Sequence, residues 1–264
     1  MQHGRAIVRK ARWHVRCTTR RMRDNIAEQV LDATDDLRDA RHLVEVEGMS
    51  SPKVCVLLNQ LVARMDRGEH YLEIGTWKGR TLLSAAHDNH GRICFACDKF
   101  RVWGRYTGWG HRARQTLLDN VERHRDRGAQ IRFFDMPARR LFERRLVPRP
   151  IGVYFYDGGH SEAETRDGMR CAGPLLAERS VIVVDDWNDA GVRRGAFAGI
   201  ADAGLDVLWH RHLHGNHDEV GFWNGVGVFF VQSPPARPRQ RRRMAWAWAR
   251  REERDVDQGL HMRR

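Results

Sequence analysis

The segment Tyr71-Leu72-Glu73-Ile74-Gly75-Thr76-Trp77-Lys78-Gly79-Arg80-Thr81 passes from an apolar strand pattern through a glycine-containing turn into a helical pattern. In α/β folds such a turn lies at the carboxyl edge of the sheet, where ligands bind at a switch point. Gly75 would let the backbone approach a ligand closely, and Gly79 would let the helix pack against the strand. The segment is not GxGxxG, because Trp77 takes the middle position, and it lacks the GK[ST] ending of a phosphate loop. Taken alone it fits a ligand-binding turn and a plain tight βα connection equally well.

Working outward from it, short apolar strands alternate with amphipathic helices. Strands are expected at Tyr71–Ile74, Ile93–Cys97, Ile131–Phe134, Val153–Tyr156 and Val181–Val184, with helical patterns starting near Gly79, His111, Pro137, Glu162 and Asp189. This alternation implies a parallel sheet covered on both faces. Asp206–Leu213 and Gly225–Gln232 follow with no helix between them and should pair as an antiparallel hairpin. Upstream, Ser51-Pro52 offers an N-cap and first-turn proline for a helix running to about Arg67, ended by Gly68. Asp24–Glu45 has helical apolar spacing as well. The expected division is a basic segment with a helical extension over 1–49, one α/β domain over 50–232, and a basic tail over 233–264 whose apolar period is lost after Ser233-Pro234-Pro235.

The net charge of +12 is unevenly spread. Met1–Arg23 holds eight Lys/Arg and no acid, and Ala236–Arg264 holds ten Arg against four acids, which leaves −2 for everything between. The body is thus near neutral, and the ends read as solvated tails or, less economically, as grips for nucleic acid or an anionic membrane. Arg241–Trp248 mixes cations with tryptophans and fits either reading. No apolar run is long enough to span a bilayer, and the N-terminus lacks a secretory signal, so a cytoplasmic protein is expected. The Arg-rich, acid-free opening has the composition of an organellar transit peptide, which stands as the alternative.

The five cysteines show no disulfide spacing. Cys94 and Cys97 form a CxxC, but on a strand residues three apart face opposite sides, so both are expected to be core thiols.

The second strand ends in Cys97-Asp98-Lys99, which puts an acid some two dozen residues beyond Gly75, near the separation of a ribose-binding carboxylate. The third ends in Phe134-Asp135-Met136, where a side chain or amide would meet an adenine, or Asp135 would simply cap the next helix. These residues resemble the S-adenosylmethionine-binding motifs of class I methyltransferases, over roughly Glu69–Val231. The Glu-Ile-Gly-Thr-Trp-Lys-Gly form is similar to that of catechol and caffeoyl-coenzyme A O-methyltransferases and of related bacterial enzymes (methyltransferase domain 24-like).

The resemblance implies an α/β Rossmann-like fold: a mostly parallel seven-stranded sheet of order 3-2-1-4-5-7-6, helices on both faces, and an N-terminal helical extension. It places S-adenosylmethionine against Glu73, Gly75, Thr76, Trp77 and Gly79, with Thr81 anchoring the methionine end. Asp98, next to Lys99, would hold the ribose, and Asp135 and Met136 would sit by the adenine. Asp157 would border the cofactor. Phe100–Arg114, with Trp103, Tyr106 and Trp109, would help shape the acceptor pocket or serve as packing.

Two further strand ends carry acids, in Tyr154-Phe155-Tyr156-Asp157-Gly158-Gly159-His160-Ser161 and Val183-Val184-Asp185-Asp186-Trp187-Asn188. Clustered carboxylates repel unless a cation or shared protons compensate, and oxygen-rich clusters suit Mg²⁺ or another hard divalent ion. Asp157, Asp185 and Asp186 match the metal ligands of the metal-dependent O-methyltransferases. The sequence departs from catechol O-methyltransferase where His160 replaces the catalytic lysine. A histidine is a competent general base near neutrality. The alternatives are that His160 orders its loop and that the acids cap helices, although Ser161 and Asp189 are placed to do that capping. His210, His212, His214 and His217 resemble a metal-binding tract or a solvated loop.

The expected activity is O-methylation of a small hydroxylated acceptor, a sugar or secondary metabolite, with Asp157 and His160 at the chemistry. Against it stand an RNA methyltransferase gripping its substrate with the basic ends and a non-catalytic nucleotide-binding or interaction domain. The N-terminal helices are candidates for a homodimer contact.

Overall fold

The computed structural model describes residues 30–31, 45–102, 105–106, 108–216 and 221–234 of the 264. The chain divides into residues 1–233 and 234–264, and every element described here belongs to the first unit. Of the expected helix over Asp24–Glu45 only Val30 and Leu31, which are buried, and Glu45, which is exposed and not helical, are described, and both arginine-rich ends lie outside the described residues.

Helix α1 (Pro52–Ala63) opens the described domain; Ser51 Oγ accepts from Val54 N at 3.3 Å, as the Ser-Pro pair predicts. It stops short of Arg67 because Arg92 donates to the carbonyls of Ala63, Met65 and Asp66, so the last turn is closed by a guanidinium rather than by further helix. The chain then runs β1 (His70–Ile74), α2 (Arg80–Ala86), β2 (Ile93–Asp98), a short hairpin of β3 (Arg101–Val102) and β4 (Arg105–Tyr106), α3 (Gly108–His124), β5 (Gln130–Asp135), α4 (Ala138–Glu143), β6 (Ile151–Tyr156), α5 (Glu162–Ala172), β7 (Leu176–Val184), α6 (Ala190–Asp202), β8 (Asp206–Leu213) and β9 (Val226–Gln232).

The main sheet has the order β5-β2-β1-β6-β7-β9-β8, which is 3-2-1-4-5-7-6 once the β3–β4 hairpin is set aside. The first five strands are parallel, and β9 pairs antiparallel to both β7 and β8. The expected hairpin of the last two strands is present, with β9 inserted beside β7. The β3–β4 hairpin was not anticipated from the sequence. Strand β7 starts five residues before Val181, because exposed Glu178 and half-buried Arg179 interrupt the apolar run that would have announced it.

Period-two alternation divides the core. Tyr71, Cys94, Ala96, Val153, Phe155 and Val183 face a layer with α1, α2 and α3, whereas Leu72, Phe95, Cys97, Tyr154, Tyr156, Ile182 and Val184 face a layer with α4, α5 and α6. Cys94 and Cys97 point to opposite faces as buried thiols. The carboxyl ends of β1, β2, β5, β6 and β7 therefore share one edge, on which the candidate residues lie.

Candidate active site at the carboxyl edge

The turn after β1 is shaped by its neighbours. Gly75 has φ 87°, and its N–H donates to Cys97 O at 2.9 Å. A Cβ there would lie 1.8 Å from Asp157 O, so the close backbone approach that requires glycine is to the end of β6. Gly79 has φ 91°, and its closest neighbour is Leu117 of α3, so this glycine makes room for a helix contact rather than for the strand. Trp77 also occupies the left-handed region at φ 49°, and its ring meets that of Trp109 edge-on at 4.8 Å between centroids. Trp109 is 51% exposed.

Asp98 organises this turn. Its Oδ2 accepts from the N–H groups of Thr76 and Trp77 at 2.9 and 2.8 Å, and its Oδ1 accepts from Phe100 N at 2.7 Å. Three of its roughly four acceptor positions are filled by backbone, which leaves room for one hydroxyl in this conformation. Lys99 is exposed beside it.

Glu73 is fully buried and accepts from Tyr71 Oη at 2.6 Å and Thr81 Oγ1 at 3.0 Å. Burial pushes its carboxyl up to about 7, with the hydroxyls of Tyr71, Thr81 and Thr76 opposing the shift. Thr76 Oγ1 is buried and makes no hydrogen bond of good geometry, although it is near enough to Glu73 to help hold that carboxyl's pKa down. At the end of β5, Asp135 pairs with Arg114 Nε at 2.5 Å and does not cap α4, whose N-cap is Pro137. Met136 donates its N–H to Asp98 O at 3.0 Å.

The second group sits at the ends of β6 and β7. Asp157, His160 and Asp186 bring one ligand atom each within 4.8 Å of one another. His160 Nε2 lies 2.8 Å from Asp186 Oδ2, and Asn224 Nδ2 donates to Asp186 Oδ1 at 2.6 Å. Asp186 adopts φ 54°, which turns its carboxylate toward His160, and its backbone O accepts from Asp189 N at 2.9 Å. The side chains that converge are Asp157, His160 and Asp186, and Asp185, the third acid of the expected trio, lies outside that group. Asp185 is buried, with Oδ1 unpartnered. Both residues lie beyond the end of β7, and the left-handed backbone at Asp186 gives it a different side-chain direction from buried Asp185, whose charge still acts on Asp157.

The electrostatics match a cation-hungry site. Burial and the carboxylates of Asp185 and Asp186 hold Asp157 well above the ordinary range, and burial with Asp186 raises Asp185 to about 7. The bond to Asp186 raises His160. Two converging carboxylates could hold a divalent ion, with the imidazole beside them, and this crowding of acids is what such an ion would relieve. The strand-end acids are free for this because Ser161 Oγ caps α5 through Glu164 N at 3.2 Å, and Asp189 Oδ1 caps α6 through Gly191 N at 2.6 Å.

Sequence reasoning missed Asn224 and Asn188. Asn188 N donates to Asn224 O, its Nδ2 donates to Gly215 O at 2.7 Å, and its Oδ1 accepts from Gly215 N. Asn224-Gly225 is a turn signature, but a turn signal does not say what the turn reaches.

Residues 72–187 match a family model described as a methyltransferase domain. No curated protein sequence matches the chain. Among solved structures, the chain is similar to TomG from Streptomyces achromogenes, described as an O-methyltransferase involved in tomaymycin synthesis in complex with SAM: 17% identity, TM-score 0.52, covering 78% of this chain and 90% of that one. A candidate caffeoyl-CoA O-methyltransferase from Staphylococcus aureus matches at 16% identity and TM-score 0.50, covering 76% and 92%. TrmN from Thermus thermophilus matches at 17% identity and TM-score 0.46, over 68% of this chain and 49% of that one. At these identities the structural likeness is one of fold.

Proposed function

We propose that the chain, whose residues 72–187 match a methyltransferase-domain model, is a class I S-adenosylmethionine-dependent methyltransferase that methylates an oxygen of a small hydroxylated acceptor with the help of a divalent cation. The observation that carries this reading is the convergence of Asp157, His160 and Asp186 beside the Gly75 turn that Asp98 holds in place.

In this reading Asp157 and Asp186 hold the cation, with Asn224 fixing the Asp186 carboxylate and Asp185 adding negative field from beneath. His160 takes the acceptor's hydroxyl proton on its imidazole once neutral. Glu73, Thr76, Thr81 and Asp98 orient the methyl donor, with the Thr76 hydroxyl and the open acceptor position on Asp98 as contacts. Asp135, committed to Arg114, adds a rim to the adenine side next to Met136. When bound, the donor supplies a sulfonium methyl group and the divalent ion supplies Lewis acidity that lowers a hydroxyl's pKa. Holding acceptor and donor in near-attack geometry is the main contribution the fold makes, about 7–11 kcal/mol in favourable cases.

Calorimetric titration of S-adenosylmethionine into the wild type and Asp98→Ala, with and without Mg²⁺, tests the cofactor assignment. Micromolar binding that the substitution weakens at least tenfold is expected. No binding to the wild type under either condition would sink the reading.

A further inference from the structure

An open groove of about 690 Å³ runs between α6 and the edge strand β8, lined by Ala190, Arg193, Arg194, Phe197, His212 and His214. Its chemistry is the opposite of the acidic cluster: two guanidiniums and two imidazoles, with no carboxylate among the lining residues. Arg193 is held in place by Nη1 donating to the carbonyls of Trp187 and Asn188 at 2.6 and 2.8 Å, and no acid pairs with it among the described residues. Its Nε and second Nη remain available as a fork. Arg194 pairs with Glu162, and both partners are exposed. Burial and the nearby His210, His214 and Arg193 all hold His212 below its ordinary pKa, and no acid offsets them.

The wall is aromatic as well. Phe197 is 40% exposed and meets the rings of His210 and His212 edge-on at 5.9 Å each, while His212 lies 5.0 Å from Trp187. One guanidinium without an acid partner, a second shared with exposed Glu162, and imidazole N–H donors around an exposed ring suit an oxyanion on an apolar or planar body.

The groove is coupled to the cation cluster through one loop. Strand β8 runs in the same direction as β7, because β9 is antiparallel to both, so His212 and His214 stand at the edge that carries Asp186. Two strand spacings separate β7 and β8, roughly 10 Å. Asn188 joins the two sites: its carbonyl accepts from Arg193, and its Oδ1 lies 3.3 Å from His214 Nδ1.

We propose that this groove is an oxyanion subsite that receives a carboxylate or phosphate arm of the methyl acceptor. The arm's assignment to the acceptor rests on the O-methylation reading; the oxyanion site does not.

The full chain is titrated with inorganic phosphate and, separately, acetate, following the histidine imidazole signals by NMR. Saturable shifts confined to His210, His212 and His214 are expected, with affinity at least tenfold weaker in Arg193→Gln and several-fold weaker in Arg194→Gln. If circular dichroism shows that Arg193→Gln does not fold, Arg194→Gln decides alone. The stronger of the two anions identifies the arm's chemistry. Equal affinity in the variants, or shifts spread over all histidines, would overturn the subsite.

Turnover of 3-(3,4-dihydroxyphenyl)propionate and of catechol is then compared. The ratio of their kcat/KM values should favour the carboxylate in the wild type and fall at least fivefold in Arg194→Gln. An unchanged ratio overturns the acceptor arm, whereas turnover of neither compound counts against the O-methylation reading and leaves the anion titration to judge the groove.

Discussion

Gly75 shows how much one position can carry. Its φ of 87° and the 1.8 Å that a Cβ would leave to Asp157 O mean that Gly75→Ala must displace the end of β6. We expect a loss of at least about 2 kcal/mol in chemical denaturation, together with loss of S-adenosylmethionine binding. Glu73 makes a different prediction. Its carboxyl titrates near 7 in the folded chain against 4.5 ordinarily, so the folded state holds the proton more tightly. The stability this provides is full below about pH 4.5 and is lost as pH rises to about 7, a swing of about 3 kcal/mol. Glu73→Gln should remove that component, read as the difference between wild-type and variant stability–pH curves. A constant difference between pH 4 and 8 would count against it. Both residues stand out in the sequence as members of one motif, but the approach of Asp157 O to Gly75 and the bond from Tyr71 Oη to Glu73 do not.

At the scale of elements, the loop between β8 and β9 is pinned to the loop after β7 by Asn188 and Asn224. Asn224 acts on Asp186, so Asn224→Ala should weaken Mn²⁺ binding by about 10–100-fold, the usual cost of losing a partner behind a ligand. Calorimetry with Mn²⁺ alone reads this without any acceptor. Asn188→Ala should instead raise amide exchange at Gly215, whose N–H loses its acceptor, while leaving the Asp186–Asn224 bond in place. The strands were readable in sequence because buried parallel strands are apolar runs, and all seven strands of the sheet lie where such runs or alternations stand. The early end of α1 was not readable, because it depends on Arg92, nearly thirty residues downstream of Ala63.

At the scale of the whole molecule, the fold gathers Asp157, Asp185 and Asp186 against their mutual repulsion, and this is a standing cost to stability. A divalent ion that binds only the folded chain should raise Tm with concentration, by roughly 2–4 °C for each kcal/mol of linkage. Asp157→Asn should raise the ion-free Tm and flatten its response to Mg²⁺, as scanning calorimetry at fixed pH would show. A wild-type Tm indifferent to millimolar Mg²⁺ and Mn²⁺ would argue against a cation at this site. No helix among the described residues is long and apolar enough to cross a membrane.

Periodicity and punctuation in the sequence were enough to determine the α/β class, the strand sequence, the two-faced core and the edge on which the chemistry collects. Each follows from local rules: apolar alternation, glycine at turns, and acids where strands end. Tertiary structure alone decided which of those acids face one another. Asp185 and Asp186 are adjacent in sequence, yet only Asp186 reaches Asp157 and His160, because backbone dihedrals at a strand end set side-chain direction and long-range partners such as Asn224 set the dihedrals. Asp135 likewise belongs to Arg114 rather than to a helix cap. The cationic groove also exists only in three dimensions, since α6 and β8 contribute residues that share no motif and meet only when β9 inserts beside β7.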